Sequence, residues 1–200
     1  MAIHHCRKPT IVALQGSAVG LGMTMTLPAA IRIGYRNAKY GFVFARRGIT
    51  MESCSAFFLP RLVGFSAASY LLTTAATFPP ASPHFAGLFH EVCDSPDAVV
   101  ARALALAADI AANCAPLAGY LNRMLMWRGP DSAEAAHLLD SPVLFHMFAA
   151  PDQREGVEAF LQKRQAHFTA TLERDAPPNF PWWQQVDTGV RPKIEKASKL

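Results

Sequence analysis

The 200-residue chain is 51% hydrophobic and 17% charged, a composition that is typical of a folded domain and excludes an intrinsically disordered protein. Its formal net charge of +4 is modest, and its Lys and Arg residues form no run of five or six, which argues against a nucleic-acid-binding protein. The four cysteines form no C-x-x-C pair and the seven histidines show no metal-ligand spacing, so we expect reduced thiols and no metal.

The first predicted elements are a strand over Thr10 to Leu14 and a turn at Gln15-Gly16. The small-residue segment from Ser17 to Gly22 follows and precedes a helical run. Glycines in such a turn let backbone N–H groups approach a ligand closely, and a helix N-terminus adds partial positive charge. The segment is therefore a candidate oxyanion-binding turn. The alternative is purely structural, because a tight strand-to-helix turn needs glycine whether or not a ligand binds there.

The stretch from 9 to 31 carries no charged residue, which raises the question of a membrane span. Glycines, threonines, a glutamine and two prolines interrupt this stretch. A strand, a turn and a helix explain its neutrality better than one continuous hydrophobic helix does. We therefore expect no membrane-spanning segment.

Glu52 is the only carboxylate among the first 90 residues, and it follows the glycine turn by about thirty residues. An oxyanion-binding turn and one isolated carboxylate are the groups needed to move a proton beside a carbonyl. Glu52 is therefore the candidate acid/base residue. The structural alternative is that Thr50 caps a helix beginning at Met51, so that Glu52 stabilises the first turn of that helix.

The remainder of the chain is predicted to be mostly helical. A short apolar helix is plausible from Ala67 to Thr73, and a turn and strand follow over residues 85–92. Ser95 is a capping residue for a helix that runs from Pro96 to about Asn113. Another helix runs from about Pro116 to Trp127.

Two capping boxes predict the last helices. Asp131-x-x-Glu134 and Asp152-x-x-Glu155 have the required spacing, so we expect helices near 132–148 and 153–172. The second of these carries an apolar stripe made of Val157, Phe160, Leu161 and Phe168. This stripe needs a partner surface, either within the chain or on another copy of it.

The segment 175–200 contains four prolines and no hydrophobic period, so we expect an extended tail held in place by Phe180, Trp182 and Trp183. The sequence closes on Ser198-Lys199-Leu200. A C-terminal S-K-L is the address that the peroxisomal import receptor reads. We therefore expect targeting to the peroxisome, with that receptor as a partner.

Many positions between residues 8 and 64 share one pattern of spacing. They are Lys8-Pro9, Gly16, Gly20-Leu21-Gly22, Ile31-Arg32-Ile33, Asn37-Ala38-Lys39-Tyr40-Gly41, Gly48-Ile49 and Leu59-Pro60-Arg61-Leu62-Val63-Gly64. This pattern resembles the core of the crotonase (enoyl-CoA hydratase/isomerase) superfamily. Residues 155–164 are similar to the family's C-terminal E-G-x-x-A-F-x-x-K-R motif.

The resemblance implies an α/β fold with a crotonase-like ββα-superhelix core over residues 1–114. A helical oligomerisation region over 115–174 and the tail over 175–200 would follow this core. Compared with the family, roughly the first third of the domain is expected to be missing, including the loop that supplies one of two oxyanion donors. Family members form trimers and dimers of trimers, so a homo-oligomer is implied.

The resemblance also implies an acyl-CoA substrate, so coenzyme A is part of the substrate and no separate cofactor is expected. The backbone N–H of Leu21 corresponds to an oxyanion donor. The implied substrate-binding residues are Ala18, Gly20, Gly22 and Phe44.

The two catalytic carboxylates of the family's hydratases fall at Thr24 and Phe44, neither of which can transfer a proton near neutral pH. Glu52 falls where some of the family's enoyl-CoA isomerases carry their acid/base residue. Peroxisomal isomerase-like members are thus the best match, in fatty-acid β-oxidation or in secondary acyl-chain biosynthesis. The alternative is a catalytically inactive crotonase-like fragment.

Overall fold

The computed structural model describes residues 1–148 and 150–189, and it has the predicted α/β composition. Its strands are β1 (Ile11–Leu14), β2 (Ala18–Val19), β3 (Ile31–Tyr35), β4 (Tyr40–Gly41), β5 (Thr77–Phe78) and β6 (Glu91–Cys93). Its α-helices are α1 (Ala2–His5), α2 (Leu21–Thr24), α3 (Ser55–Val63), α4 (Phe65–Thr74), α5 (Pro96–Asn113), α6 (Pro116–Arg128), α7 (Ala133–Phe148), α8 (Pro151–Gln162) and α9 (Leu172–Asp175). Strands therefore lie in the first half of the chain, and the second half is helical.

The strands form two small sheets. Sheet 1 is parallel with the order β1-β3-β6, whereas in sheet 2 β4 pairs in parallel with β2 and antiparallel with β5. The chain places one strand in each sheet and then forms a helix, first as β1-β2-α2 and then as β3-β4-α3. This repeat is the predicted ββα arrangement. It brings the segments that follow β2 and β4 to the same side of the fold.

The main core lies between sheet 2 and the helices α3 and α4. Its largest fully buried side chains are Met23, Leu27, Tyr40, Phe42, Leu59, Leu71, Phe85 and Leu88. Burial of each such side chain contributes about 1.5–3 kcal/mol. Helix α5 packs on sheet 1 through Val99 and Ala103 against Ile33. The glycine turn and the α2 helix are thus held on a packed scaffold.

The local prediction for α5 is confirmed. The helix has the predicted limits, and the Ala98 N–H donates to the Ser95 hydroxyl at 3.1 Å. The helices predicted at the positions of α4 and α6 are also present; α4 is three residues longer than expected and α6 is one residue longer. These helices could be predicted because capping residues and first-position prolines act within one helical turn, where neighbouring residues in the sequence decide the structure.

Both capping boxes were assigned to the wrong residue. Ser132, one position after Asp131, accepts the Ala135 N–H at 3.2 Å at the start of α7. Helix α8 begins at Pro151, and the carboxylate of Asp152 accepts the N–H groups of Thr169 and Ala170 at 2.7 and 2.9 Å. Asp152 therefore ties a distant segment to the helix instead of capping it.

Helix α8 also ends ten residues earlier than predicted, at Gln162. Lys163 has a left-handed backbone with φ of 54°, which stops the helix. The chain then turns back because Arg164 pairs with Glu155 at 2.6 Å, and the His167 N–H donates to the same carboxylate at 2.7 Å. This arginine and amide hold the pKa of Glu155 at about 2.

Most of the apolar stripe on α8 has no intrachain partner among the described residues. Val157, Phe160 and Leu161 are 48%, 81% and 72% exposed. Only Phe168 folds back, and its ring lies 3.5 Å from the position of a Cβ on Gly156. Packing within the described part of the chain therefore does not cover these three side chains of the helix.

The tail packs as expected over its described part, residues 176–189, which contains no helix or strand. Phe180 and Trp182 join the cluster around Leu117 and Leu121 of α6, and the Phe180 ring lies 6.0 Å from that of Tyr120. Ser198, Lys199 and Leu200 lie outside the described residues. The division of the chain at 114 and 174 stays a prediction.

In the described ranges, no single helix is both long and apolar enough to cross a membrane. Helices α5 and α6 meet this criterion only when they are taken together, and a bend of 109° separates them.

The buried imidazole of His4 makes the stability pH-dependent. Its ring lies 5.2 Å from that of Phe58 and 6.1 Å from that of Trp127. Burial, and next the charge of Arg128, lower the pKa of His4 to about 4. An unfolded histidine titrates near 6.5, so between these values the unfolded chain binds a proton that the folded chain does not. The free energy of unfolding should therefore fall by about 1–3 kcal/mol as the pH drops through this window.

Urea titrations at about pH 7 and about pH 5 measure this loss. His4→Phe keeps an aromatic ring between Phe58 and Trp127 and should flatten the pH dependence. An equal loss in the variant and the wild-type protein would show that other groups cause it.

Candidate active site

The glycine turn joins sheet 2 to α2. Gly20 has φ of 53° and ψ of −124°, a conformation that residues with a side chain rarely adopt. Its N–H donates to Gly41 O at 3.1 Å, and its carbonyl accepts the N–H groups of Met23 and Thr24, each at 2.9 Å. The Phe44 ring lies 3.8 Å from the position of a Cβ on Gly20. Hydrogen bonds to β4 and α2, together with the packing of Phe44, therefore fix the conformation of the turn.

The predicted oxyanion donor lies directly after this turn. Among the described residues, the N–H groups of Leu21 and Gly22 donate to no acceptor. Helix α2 is a single turn, because the Thr26 hydroxyl donates to Met23 O at 2.7 Å and Pro28 follows. The free N–H groups, rather than a long helix dipole, are what this turn offers to an oxyanion.

Two of the other predicted substrate-binding residues lie beside the donor. Ala18 is in β2, and its N–H donates to Lys39 O at 3.1 Å. Gly22 faces it, since a Cβ on Gly22 would lie 3.5 Å from the Ala18 Cβ. Ala18 and Gly22 therefore contact each other at this turn, and Phe44 packs against Gly20, while the role of all four residues in substrate binding stays a prediction.

Glu52 reaches this turn through Thr24. The Thr24 hydroxyl donates to the Glu52 carboxylate at 2.5 Å, and it lies 3.4 Å from the Leu21 carbonyl. The Ser53 hydroxyl donates to the second carboxylate oxygen. One threonine side chain, itself fully buried, therefore connects the candidate base to the helix that begins with the candidate oxyanion donor.

The structural alternative for Glu52 is wrong. Helix α3 begins at Ser55, three residues after Glu52, and Thr50 does not cap it. Ser53 and Cys54 have positive φ of 52° and 58°, which is incompatible with a helix starting at Met51. The buried Ser55 closes this turn by donating its N–H at 2.9 Å and its hydroxyl at 2.6 Å to the Glu52 carbonyl. The Glu52 side chain is exposed to solvent.

Thr24 and Phe44, which fall at the carboxylate positions of the family's hydratases, are both buried in the site. Phe44 is 6% exposed and forms an apolar wall against Gly20, while Thr24 holds Glu52. Sequence reasoning treated Thr24 only as a missing acid. The spacing of three residues from Leu21, one helical turn, was the signal that its side chain would lie near the donor.

Comparison with known proteins decides the family. A family profile described as enoyl-CoA hydratase/isomerase matches residues 1–171. The chain belongs to the enoyl-CoA hydratase/isomerase family. Enoyl-CoA hydratase AFT3-1 of Alternaria alternata is 46% identical over 176 residues, which are 88% of this chain and 60% of that protein. Crotonyl-CoA hydratase of Syntrophomonas wolfei is 32% identical over 167 residues, or 83% of this chain and 64% of that protein.

A solved member of the enoyl-CoA hydratase/isomerase family supports the same conclusion. The probable enoyl-CoA hydratase/isomerase from Mycobacterium abscessus superimposes with a TM-score of 0.79 at 31% identity. The match covers 84% of this chain and 66% of that protein. The predicted crotonase-like fold with a helical C-terminal region is thereby confirmed. The chain spans about 60% of the length of the Alternaria relative.

Proposed function

We propose that this protein transfers a proton on the acyl chain of acyl-CoA thioesters and that it favours the isomerisation of 3-enoyl to 2-enoyl thioesters. The contact between Glu52 and Thr24, one helical turn from the free Leu21 N–H, carries this proposal. It supports one carboxylate acting beside one oxyanion donor. No cofactor is needed for this chemistry, since the thioester itself acidifies the carbon that loses the proton.

In the proposed reaction, the Glu52 carboxylate removes a proton from C2 of the 3-enoyl thioester. Electrons move onto the thioester oxygen, and the resulting dienolate accepts a hydrogen bond from the Leu21 N–H. A donor of this kind is worth about 3–4 kcal/mol in the transition state. Protonated Glu52 then returns the proton to C4, the double bond shifts to C2–C3, and the carboxylate is regenerated. One acid/base group suffices for both steps.

Hydration of a 2-enoyl thioester is the second candidate. The names of the Alternaria and Syntrophomonas relatives favour it, since both are called hydratases. Glu52 alone would then remove a proton from water and deliver one to C2. The buried threonine and phenylalanine at positions 24 and 44 favour isomerisation, because neither supplies the second carboxylate that hydration in this family uses.

Turnover assays on the purified chain separate these reactions. With 3-enoyl-CoA as substrate, we expect 2-enoyl-CoA, measured by the ultraviolet absorbance of its conjugated double bond and by chromatography. With 2-enoyl-CoA, the hydratase candidate predicts 3-hydroxyacyl-CoA. Absence of both products at any enzyme concentration would contradict the proposal and leave a non-catalytic family member.

We also propose that the protein forms a homo-oligomer. The exposed Val157, Phe160 and Leu161 on α8 support this, since isolated apolar patches of this kind are typical of interfaces. Sedimentation velocity should give a species of three or six chains. Phe160→Glu should shift it toward the monomer, whereas a wild-type monomer at all concentrations would contradict the proposal.

A peroxisomal location is the last part of the proposal. The Ser198-Lys199-Leu200 tripeptide supports it wherever these residues form the carboxyl terminus of the mature protein. β-Oxidation and secondary acyl-chain synthesis are both compatible pathways. A fluorescent protein fused before the tail should enter peroxisomes, and deletion of the tripeptide should leave it outside them.

A further inference from the structure

A cavity of about 660 Å³ lies at the end of sheet 1 opposite to the glycine turn. Pro9, Ala30 and His90, which lie one or two residues before strands β1, β3 and β6, contribute to its wall. The strands of sheet 1 are parallel, so these three residues mark their amino ends. The glycine turn follows the carboxyl end of β1. The cavity is therefore separate from the candidate active site.

The wall of this cavity is cationic. Arg32, Arg61 and Arg123 contribute to it together with Asn122, and no Asp or Glu of the described residues does. Arg32 is 2% exposed and Arg123 is 8% exposed. Within residues 1–148 and 150–189, none of the three arginines is in an ion pair. Two nearly buried positive charges thus lack a counter-charge, which is unfavourable in a protein interior.

Several donors of these side chains also lack an acceptor. Arg32 uses Nε and Nη1 for backbone carbonyls, but its Nη2 has no acceptor in the described part of the chain. Nε and Nη1 of Arg123 also have no acceptor among the described residues, but protein atoms cover both, so they do not face the cavity, and its Nη2 donates to Cys6 O. Buried guanidinium groups normally use all their donors. Burial lowers the pKa of Arg32 to about 10, so it still carries its charge at neutral pH.

His90 adds a neutral donor. Its Nδ1 accepts the Arg32 backbone N–H at 3.2 Å, so the hydrogen of the neutral ring is on Nε2. Burial and the Arg32 charge lower the pKa of His90, which keeps the ring neutral at physiological pH. The cavity thus combines guanidinium, imidazole and amide donors, and it lacks a carboxylate acceptor from the described chain.

We propose that this cavity binds the phosphate group of a small phosphorylated molecule. A phosphate carries two negative charges and several acceptor oxygens, which match the Arg32 Nη2 and the exposed Arg61 guanidinium, with His90 Nε2 as a neutral donor beside them. The volume is larger than inorganic phosphate requires, and Trp127 and Met126 supply an apolar flank for an organic portion. The site does not depend on acyl-CoA turnover, because it lies at the other end of the sheet.

Isothermal titration calorimetry of the full chain tests this with two probes, inorganic phosphate and ribose 5-phosphate. Ribose 5-phosphate is also a part of coenzyme A, so the variant Arg61→Gln, whose side chain lines this cavity and lies away from the glycine turn, shows which site is occupied. We expect saturable binding of ribose 5-phosphate. Loss of one charged donor should weaken it about tenfold or more in Arg61→Gln. Arg154→Gln, a change to an exposed arginine on α8, is the matched control and should leave the affinity within about twofold.

Comparable affinity for both probes would support the proposal and identify the phosphate itself as the recognised group. Tighter binding of ribose 5-phosphate would support it and add the organic portion. Absence of saturable binding of either probe, or equal weakening by Arg154→Gln, would overturn it. Arg61 is exposed, so Arg61→Gln should fold like the wild-type protein, and an unchanged affinity in this variant would also overturn the proposal.

Discussion

Glu52→Gln is expected to lower kcat/KM for the isomerisation of 3-enoyl-CoA by about 10²–10⁴-fold. Glutamine has nearly the same shape and can still accept the hydrogen bond from the Thr24 hydroxyl, which donates to the carboxylate at 2.5 Å. It cannot accept a proton from carbon. The variant should therefore bind acyl-CoA with little change in KM while kcat falls.

Initial rates of conjugated-product formation measure this effect. Glu158→Gln, which changes an exposed carboxylate on α8, is the control and should retain wild-type rates. Circular dichroism should show the same melting temperature for both variants, since Glu52 is exposed and caps no helix. A Glu52→Gln protein with unchanged kcat would exclude this residue as the base. If hydration is the reaction, the same variant should lose water addition instead.

Arg32→Met is expected to lower the free energy of unfolding by about 3–5 kcal/mol, more than any other substitution considered above. The Arg32 guanidinium donates to four backbone carbonyls at 2.8 to 3.2 Å. These acceptors belong to Thr26, Leu27, Ala29 and Leu88. Methionine fills a similar volume but leaves them without a donor, and unsatisfied buried acceptors are costly.

Chemical denaturation measures this change, and Arg36→Met provides the control. Arg36 lies in the turn just after β3, is exposed, and forms one surface ion pair with Asp94 at 2.5 Å. Its replacement should cost less than about 1 kcal/mol. An equally small loss in the free energy of unfolding for Arg32→Met would contradict the prediction. It would mean that water from the adjacent cavity hydrates the four carbonyl groups.

Helix α5 shows how far local chemistry can be read from a sequence. Its cap, its first-position proline and its end are encoded within a few neighbouring residues, and the predicted limits are confirmed. The same reasoning failed at Asp152. Its partners, the N–H groups of Thr169 and Ala170, are 17 and 18 residues away, and no local sequence pattern predicts these contacts.

The candidate site likewise has features that neighbouring residues encode and contacts that only the fold creates. The glycine turn at Gly20 could be predicted because a turn with positive φ depends on residues in direct succession. The role of Leu21 came from the family resemblance and stays a prediction. The alternative in which Thr50 caps a helix that contains Glu52 was wrong because Ser53 and Cys54 adopt left-handed conformations that residue type alone does not predict. Thr24 and Glu52 are 28 residues apart, and only the fold brings them into contact.

The sequence by itself determined the family, the α/β class, the glycine turn and the identity of the single early carboxylate. Hydrogen bonds within one turn and motifs of fixed spacing encode these features locally. Only the tertiary structure decided that Glu52 contacts Thr24, that α8 leaves its apolar residues exposed, and that Arg32, Arg61 and Arg123 share one cavity. These contacts join residues far apart in the chain, and they depend on how two sheets and the helices around them pack.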